Sequence, residues 1–244
     1  MDDVASFGLT AFILFGAYTL FGITGFGQSL VAMPLLAMIG SLKFFVPLMT
    51  LLDTVFVLWN MAKFRKQANY GELRVLLPPT IIGMLGGATI LLTAPERLLL
   101  LALGVLICGY GLYRLLGPKG RAQINRWLAI PLGLVAGAIS MTFGTGGPIF
   151  VAYLSSRIWD KGELRATILN VIVVTTTLRI IIFGASGLYA NAHIWWWWLF
   201  ALPACFAGVK LGHRLHDSLK SESLLFMIYI ILIVSGAALI VKNI

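Results

Sequence analysis

Residues 22–34 read GITGFGQSLVAMP, and residues 139–148 read ISMTFGTGGP. Each stretch interrupts an apolar run with glycines, and each break falls between the first and second apolar segment of its half of the chain. Glycine has no Cβ and enters left-handed backbone at no steric cost, so such a cluster inside a hydrophobic run predicts a turn rather than continued helix. Small residues that only let helices approach one another need neither a turn nor a proline like Pro148 in the first helical turn that follows.

The surroundings of the two breaks set the fold class. The chain has 244 residues, of which 59% are hydrophobic and 11% charged, with a mean hydropathy of +0.95. That is more apolar surface than one soluble core can hide, and it predicts an integral membrane protein whose main partner is the lipid bilayer. Apolar stretches lie near 4–22, 24–40, 42–62, 75–93, 98–116, 127–143, 145–158, 164–185, 193–212 and 222–241. A spanning helix needs about 20 residues, so 24–40 and 145–158 are short. The runs are continuous rather than alternating, which excludes a membrane β-barrel. The expected fold is an all-α membrane protein with about eight full transmembrane helices plus two broken or re-entrant short segments. The start, Met1-Asp2-Asp3, lacks the basic region of a signal peptide, so the first segment is expected to remain in the mature protein.

The net charge of +9 is distributed by loop. Lys63, Arg65, Lys66 and Arg74 share one loop, Arg114, Lys119, Arg121 and Arg126 the next long one, then come Arg157, Lys161 and Arg165, then Lys210, Arg214 and Lys220. Lys43, Arg97 and Lys242 fall near the opposite ends, beside Asp2, Asp3 and Glu96. This asymmetry is the positive-inside pattern and places the four basic loops in the cytoplasm. The basic residues flank the apolar segments as membrane loops do, which argues against nucleic acid as a partner. Cys108 and Cys205 lie inside apolar segments without metal or redox spacing and read as small buried hydrophobes.

Dividing the chain at the linker GPKGRAQIN (117–125) leaves five apolar segments in the same order on each side, residues 1–118 and 119–244. Five is odd, so the second half enters the membrane upside down, as the basic loops independently require. The expectation is two inverted-topology repeats in the inner (cytoplasmic) membrane, with both termini on the periplasmic or extracellular side. Inverted repeats with an interrupted segment at matching positions are the sequence pointer to a secondary transporter with a central site.

A break in a membrane helix must line a polar cavity or be buried in protein, because free amides cannot stay unpaired in hydrocarbon. A helix starts after each break, presenting unpaired N–H groups and about half a positive charge. The two starts are expected to face one another and to cradle a small anion. Gly25, Gly27, Gly144, Gly146 and Gly147 let a ligand approach the backbone, while Thr24, Gln28, Ser29, Thr142 and Thr145 add donors. Arg179, in VVTTTLRIIIF, and Asp53, in LMTLLDTVFVLW, are charges in the middle of apolar segments. Arg179 matches an oxyanion in shape, and Asp53 is the candidate for proton coupling; the competing reading pairs the two in a structural ion pair. Asn170 either lines the pore or bridges helices.

Other features carry less chemistry. Trp195 to Trp198 read as an interfacial aromatic belt. His213 and His216 have no third metal ligand nearby, so neither metal nor cofactor is expected. No GxSxG, HExxH or P-loop appears, which argues against an enzyme.

At GITGFGQSLVAMPLL (22–36), SMTFGTGGPIFVAYLS (140–155) and RATILNVIVVTT (165–176) the sequence resembles the sulfite exporter family, TauE/SafE, also known as the 4-toluene sulfonate uptake permeases. The likeness extends over essentially the whole chain. It implies transport of a sulfur-containing anion such as sulfite, thiosulfate, sulfoacetate or another organosulfonate, by export or uptake depending on the member, and the inverted repeats lead us to expect alternating access around the glycine turns. Gln28 departs from the pattern, standing where a third small residue is expected. An anion channel and a non-transport membrane enzyme or assembly factor are the competing classes.

Overall fold

The computed structural model describes residues 3–25, 27–64, 68–116, 124–215 and 221–244. Among them the secondary structure is helical, with no strand. The helices are α1 (Asp3–Thr24), α2 (Gln28–Ala37), α3 (Leu42–Phe64), α4 (Tyr70–Thr93), α5 (Glu96–Leu116), α6 (Ala129–Phe143), α7 (Gly147–Arg157), α8 (Lys161–Ala185), α9 (Ala192–Leu215) and α10 (Ser221–Asn243). A single 3-10 turn, Arg126–Leu128, leads into α6. Among the described residues six stretches are long and apolar enough to cross a bilayer: 6–24, 70–93, 96–116, 126–143, 161–185 and 192–215. The chain is thus an all-α membrane protein. The two segments expected to be short are the short helices α2, of 10 residues, and α7, of 11. At 1.5 Å per residue each is about 15 Å long, roughly half the hydrocarbon core of a bilayer.

The helices gather into two compact units, and neither coincides with a half of the sequence. One comprises Met1–Leu48, Ala94–Pro118 and Asn191–Ile244, the other Met49–Thr93 and Lys119–Ala190. The first therefore holds α1, α2, α5, α9 and α10, the second α4, α6, α7 and α8, and α3 passes from one to the other.

In the second unit α4 lies parallel to α6 at very close range. A Cβ on Gly83 would strike the Leu134 carbonyl, and one on Gly87 would stand 2.5 Å from the Ala138 carbonyl. Gly137 presses in the same way on the Thr80 carbonyl. In the first unit α9 lies parallel to α1, with Gly208 against the Phe15 carbonyl and Gly212 against that of Thr19. Each unit thus sets a Gly-x-x-x-Gly pair over two carbonyls one helical turn apart. Lipid offers no hydrophobic drive for helices to associate, so contact of this closeness supplies the dispersion and weak Cα–H···O attraction that holds them. Also in the first unit, α5 and α10 cross antiparallel and reciprocally: Gly104 sits over the Gly236 carbonyl and Gly236 over that of Gly104.

Both short helices double back. In the first unit Phe7, early in α1, stacks on Trp197 at 3.8 Å, and Phe44, just after α2, meets the same ring edge-on at 5.6 Å. The α1–α2 pair therefore leaves at the end where it entered. In the second unit Arg157, the last residue of α7, donates through Nη1 to the carbonyl of Ile124, which precedes α6. The α6–α7 pair is a hairpin of the same kind.

Candidate functional site

Three residues, Gly144, Thr145 and Gly146, join α6 to α7. Gly144 closes α6 in left-handed conformation, φ 72°, its amide donating to the Ser140 carbonyl at 2.9 Å. This is the glycine C-cap, which only a residue without Cβ adopts freely. Gly146 caps α7 and Pro148 occupies its first turn. The amides of Thr145, Gly146 and Gly147 donate to no carbonyl among the described residues. The Thr145 side chain is 3% exposed, and its Oγ1 has no hydrogen-bond partner. A Cβ on Gly147 would meet nothing within 4 Å, so the space over the start of α7 is open there.

The α1–α2 turn resembles it in outline. Gly25 closes α1 with φ 80°, its amide donating to the Phe21 carbonyl at 2.7 Å. Gly27 caps α2 at φ 91°, ψ 2°, and Gln28 is the first helical residue. Gly25 and Gly27 both face open space. Ser29 is buried, Gln28 half-buried, and Thr24 donates its hydroxyl to the Leu20 carbonyl at 2.8 Å. Phe26 lies outside the described residues.

The remaining expected site residues belong to the second unit. Asp53 on α3 and Arg179 on α8 are both buried, at 3% and 4% exposure. Arg179 Nη2 donates to Thr176 Oγ1 at 3.3 Å. Tyr189, in the α8–α9 loop, feels the same guanidinium: burial pushes its hydroxyl above the ordinary range, and the Arg179 charge pulls the other way. Asn170 donates its amide to Ala166 of its own helix at 2.8 Å. Thr142 is committed elsewhere, its hydroxyl donating across to the Gly87 carbonyl of α4 at 3.1 Å, so it ties α6 to α4.

Two features escaped the sequence. Glu72, on the first turn of α4 and 8% exposed, accepts the Tyr153 hydroxyl at 2.7 Å and the Arg157 guanidinium at 3.2 Å, with Arg126 4.0 Å away. It pins the end of α7 to the start of α4. The only sequence signal was an acid in a basic loop. Within the tryptophan run Trp195 and Trp196 are exposed, as a belt requires, whereas Trp197 is buried against Phe7, Phe44 and Phe45, its indole N–H donating to His193 Nε2 at 3.2 Å. His213 lies in the last turn of α9, and His216 lies outside the described residues.

The chain is similar to known proteins along most of its length. The family model described as sulfite exporter TauE/SafE matches residues 10–239. The chain is 30% identical over 176 residues to a protein of Comamonas testosteroni called probable inner membrane transporter protein TsaS, covering 71% of this chain and 73% of that one. No solved structure matches.

Proposed function

Because the chain belongs to the sulfite exporter TauE/SafE family, we propose that it is a secondary carrier for a small sulfur oxyanion or organosulfonate, with the two glycine turns as its anion cradles. The observation that carries this reading is the start of α7, where, among the described residues, three consecutive amides have no carbonyl partner and the buried Thr145 hydroxyl has no hydrogen-bond partner, with open space over Gly147. Such a group at a helix N-terminus favours negative charge. Arg179 adds a cation buried in the same unit, and Asp53 is the titrating group proposed for proton coupling.

The carrier is proposed to work by alternating access in the inner membrane, with both termini on the periplasmic side. Two inverted repeats, 1–118 and 119–244, underlie this. In the alignment that lays Gly25 on Gly144, Phe15 falls on Leu134 and Thr19 on Ala138. These are the carbonyls that receive the glycine pairs of α9 and α4. The reciprocal crossing at Gly104 and Gly236, the last helix of each half, supports the same two-fold relation. Each half thus contributes its fourth helix to the other half's first. One elementary charge moving across 100 mV is worth about 2.3 kcal/mol, enough to bias export of an anion from a negative interior even without protons.

Proteoliposomes test the reading. Sulfite or sulfoacetate loaded on one side is expected to cross with saturating kinetics, and Asp53→Asn to flatten the dependence on external pH. Flux that rises linearly with concentration would favour a channel, and no flux for any sulfur oxyanion would defeat the carrier.

A further inference from the structure

Thr145 marks the largest chemical difference between the turns. Its counterpart in the aligned first turn is Phe26, whose side chain has no donor, whereas Gly147 and Pro148 align with Gln28 and Ser29 and lack the side-chain donors those two carry. Native proteins rarely keep a buried hydroxyl without a partner unless a ligand or function uses it. Among the described residues, the unpartnered Thr145 oxygen belongs to the same turn as three amides with no carbonyl partner, and Gly147, two residues on, opens onto free space.

We propose that the α6–α7 turn takes the oxygen-bearing head of the substrate and that Thr145 selects it; this rests on the carrier reading above. The donor set is neutral and fourfold: the amides of Thr145, Gly146 and Gly147, and the Thr145 hydroxyl. It suits a head with three or more oxygens, as in sulfite or a sulfonate. A carboxylate confines its acceptors to two oxygens in one plane, whereas a sulfite or sulfonate head spreads three around a pyramid, so a turn that fits the pyramid leaves a donor poorly paired with acetate, and an unpaired buried donor is a strong form of rejection. The same logic fixes a sign for the empty protein. Valine has the shape of threonine without the hydroxyl, so Thr145→Val removes an unsatisfied buried group and leaves the ligand-free fold as stable or more so.

The test uses the full chain in detergent, with thermal unfolding and dissociation constants for sulfite, methanesulfonate and acetate. The unsubstituted protein is expected to bind sulfite and methanesulfonate and to ignore acetate at the same concentrations. Thr145→Val is expected to unfold at the same or a higher temperature without ligand, yet to bind both sulfur anions at least about tenfold more weakly, the scale of one hydrogen bond to a charged group. Thr145→Ser, which keeps the hydroxyl, is expected to stay within about threefold of the unsubstituted affinity. Undiminished affinity in Thr145→Val, a lower unfolding temperature for it without ligand, or acetate binding equal to methanesulfonate overturns the inference while leaving the carrier in place. If the unsubstituted protein binds none of the three and carries none in vesicles, the carrier reading itself fails and takes this inference with it.

Discussion

Gly27 and Gly146 occupy matching places in the two turns, one capping α2 and the other capping α7. Gly27 holds φ 91° with open space where a Cβ would go. Gly146 holds φ −67°, which any residue can adopt, but a Cβ there would lie 2.5 Å from the Ala136 carbonyl and 2.6 Å from Ser140 Cβ. The first glycine answers a backbone requirement and the second a packing one. A shared motif therefore does not mean shared tolerance, and the third position makes the same point: Gln28 replaces a glycine in the first turn, and Gly147 has room for a side chain in the second.

That contrast orders the expected effects of substitution. The largest belongs to Gly146→Leu, which drives a side chain into the backbone of α6; overpacking against rigid main chain costs about 3 kcal/mol or more, and thermal unfolding is expected to show the hairpin lost along with anion binding. Loss of binding in that variant alone consequently says little about the site. Gly27→Ala comes next. A non-glycine residue in left-handed backbone costs about 1–2 kcal/mol, so a lower unfolding temperature with the protein still monodisperse is expected. A drop as deep as that of Gly146→Leu would erase the distinction between the turns. The smallest change in stability is expected for Gly147→Ala, within about 0.5 kcal/mol, because nothing lies in the way. If the space over α7 receives the anion, that same methyl group nonetheless lowers affinity. Unchanged affinity would move the ligand away from Gly147.

Much of the fold was legible because hydropathy and glycine act locally. Continuous apolar runs name the membrane helices, and Gly25, Gly27, Gly144 and Pro148 mark where two of them break, since each residue's own backbone preference carries the signal. Partners across the fold were not legible. Nothing local in Gly83 or Gly208 says that α4 lies on α6 and α9 on α1. Thr142 read as a donor for substrate because its hydroxyl faces the right level in sequence, yet it is spent on Gly87, a partner 55 residues away. Glu72 was hidden for the same reason, its meaning depending on Tyr153 and Arg157 of a distant helix. At the site itself, sequence named Thr145 among five donors; it is the one of the five whose hydroxyl is buried with no partner among the described residues.

If main-chain N–H groups at a helix break hold the anion, amide hydrogen exchange over the peptide containing residues 140–150 reports their occupancy. Exchange at Thr145, Gly146 and Gly147 is expected to slow on adding sulfite and to remain fast with acetate, while helix α10 stays unaffected by either. Sulfite that binds, as judged by thermal unfolding, and leaves exchange across this peptide unaltered would contradict the account.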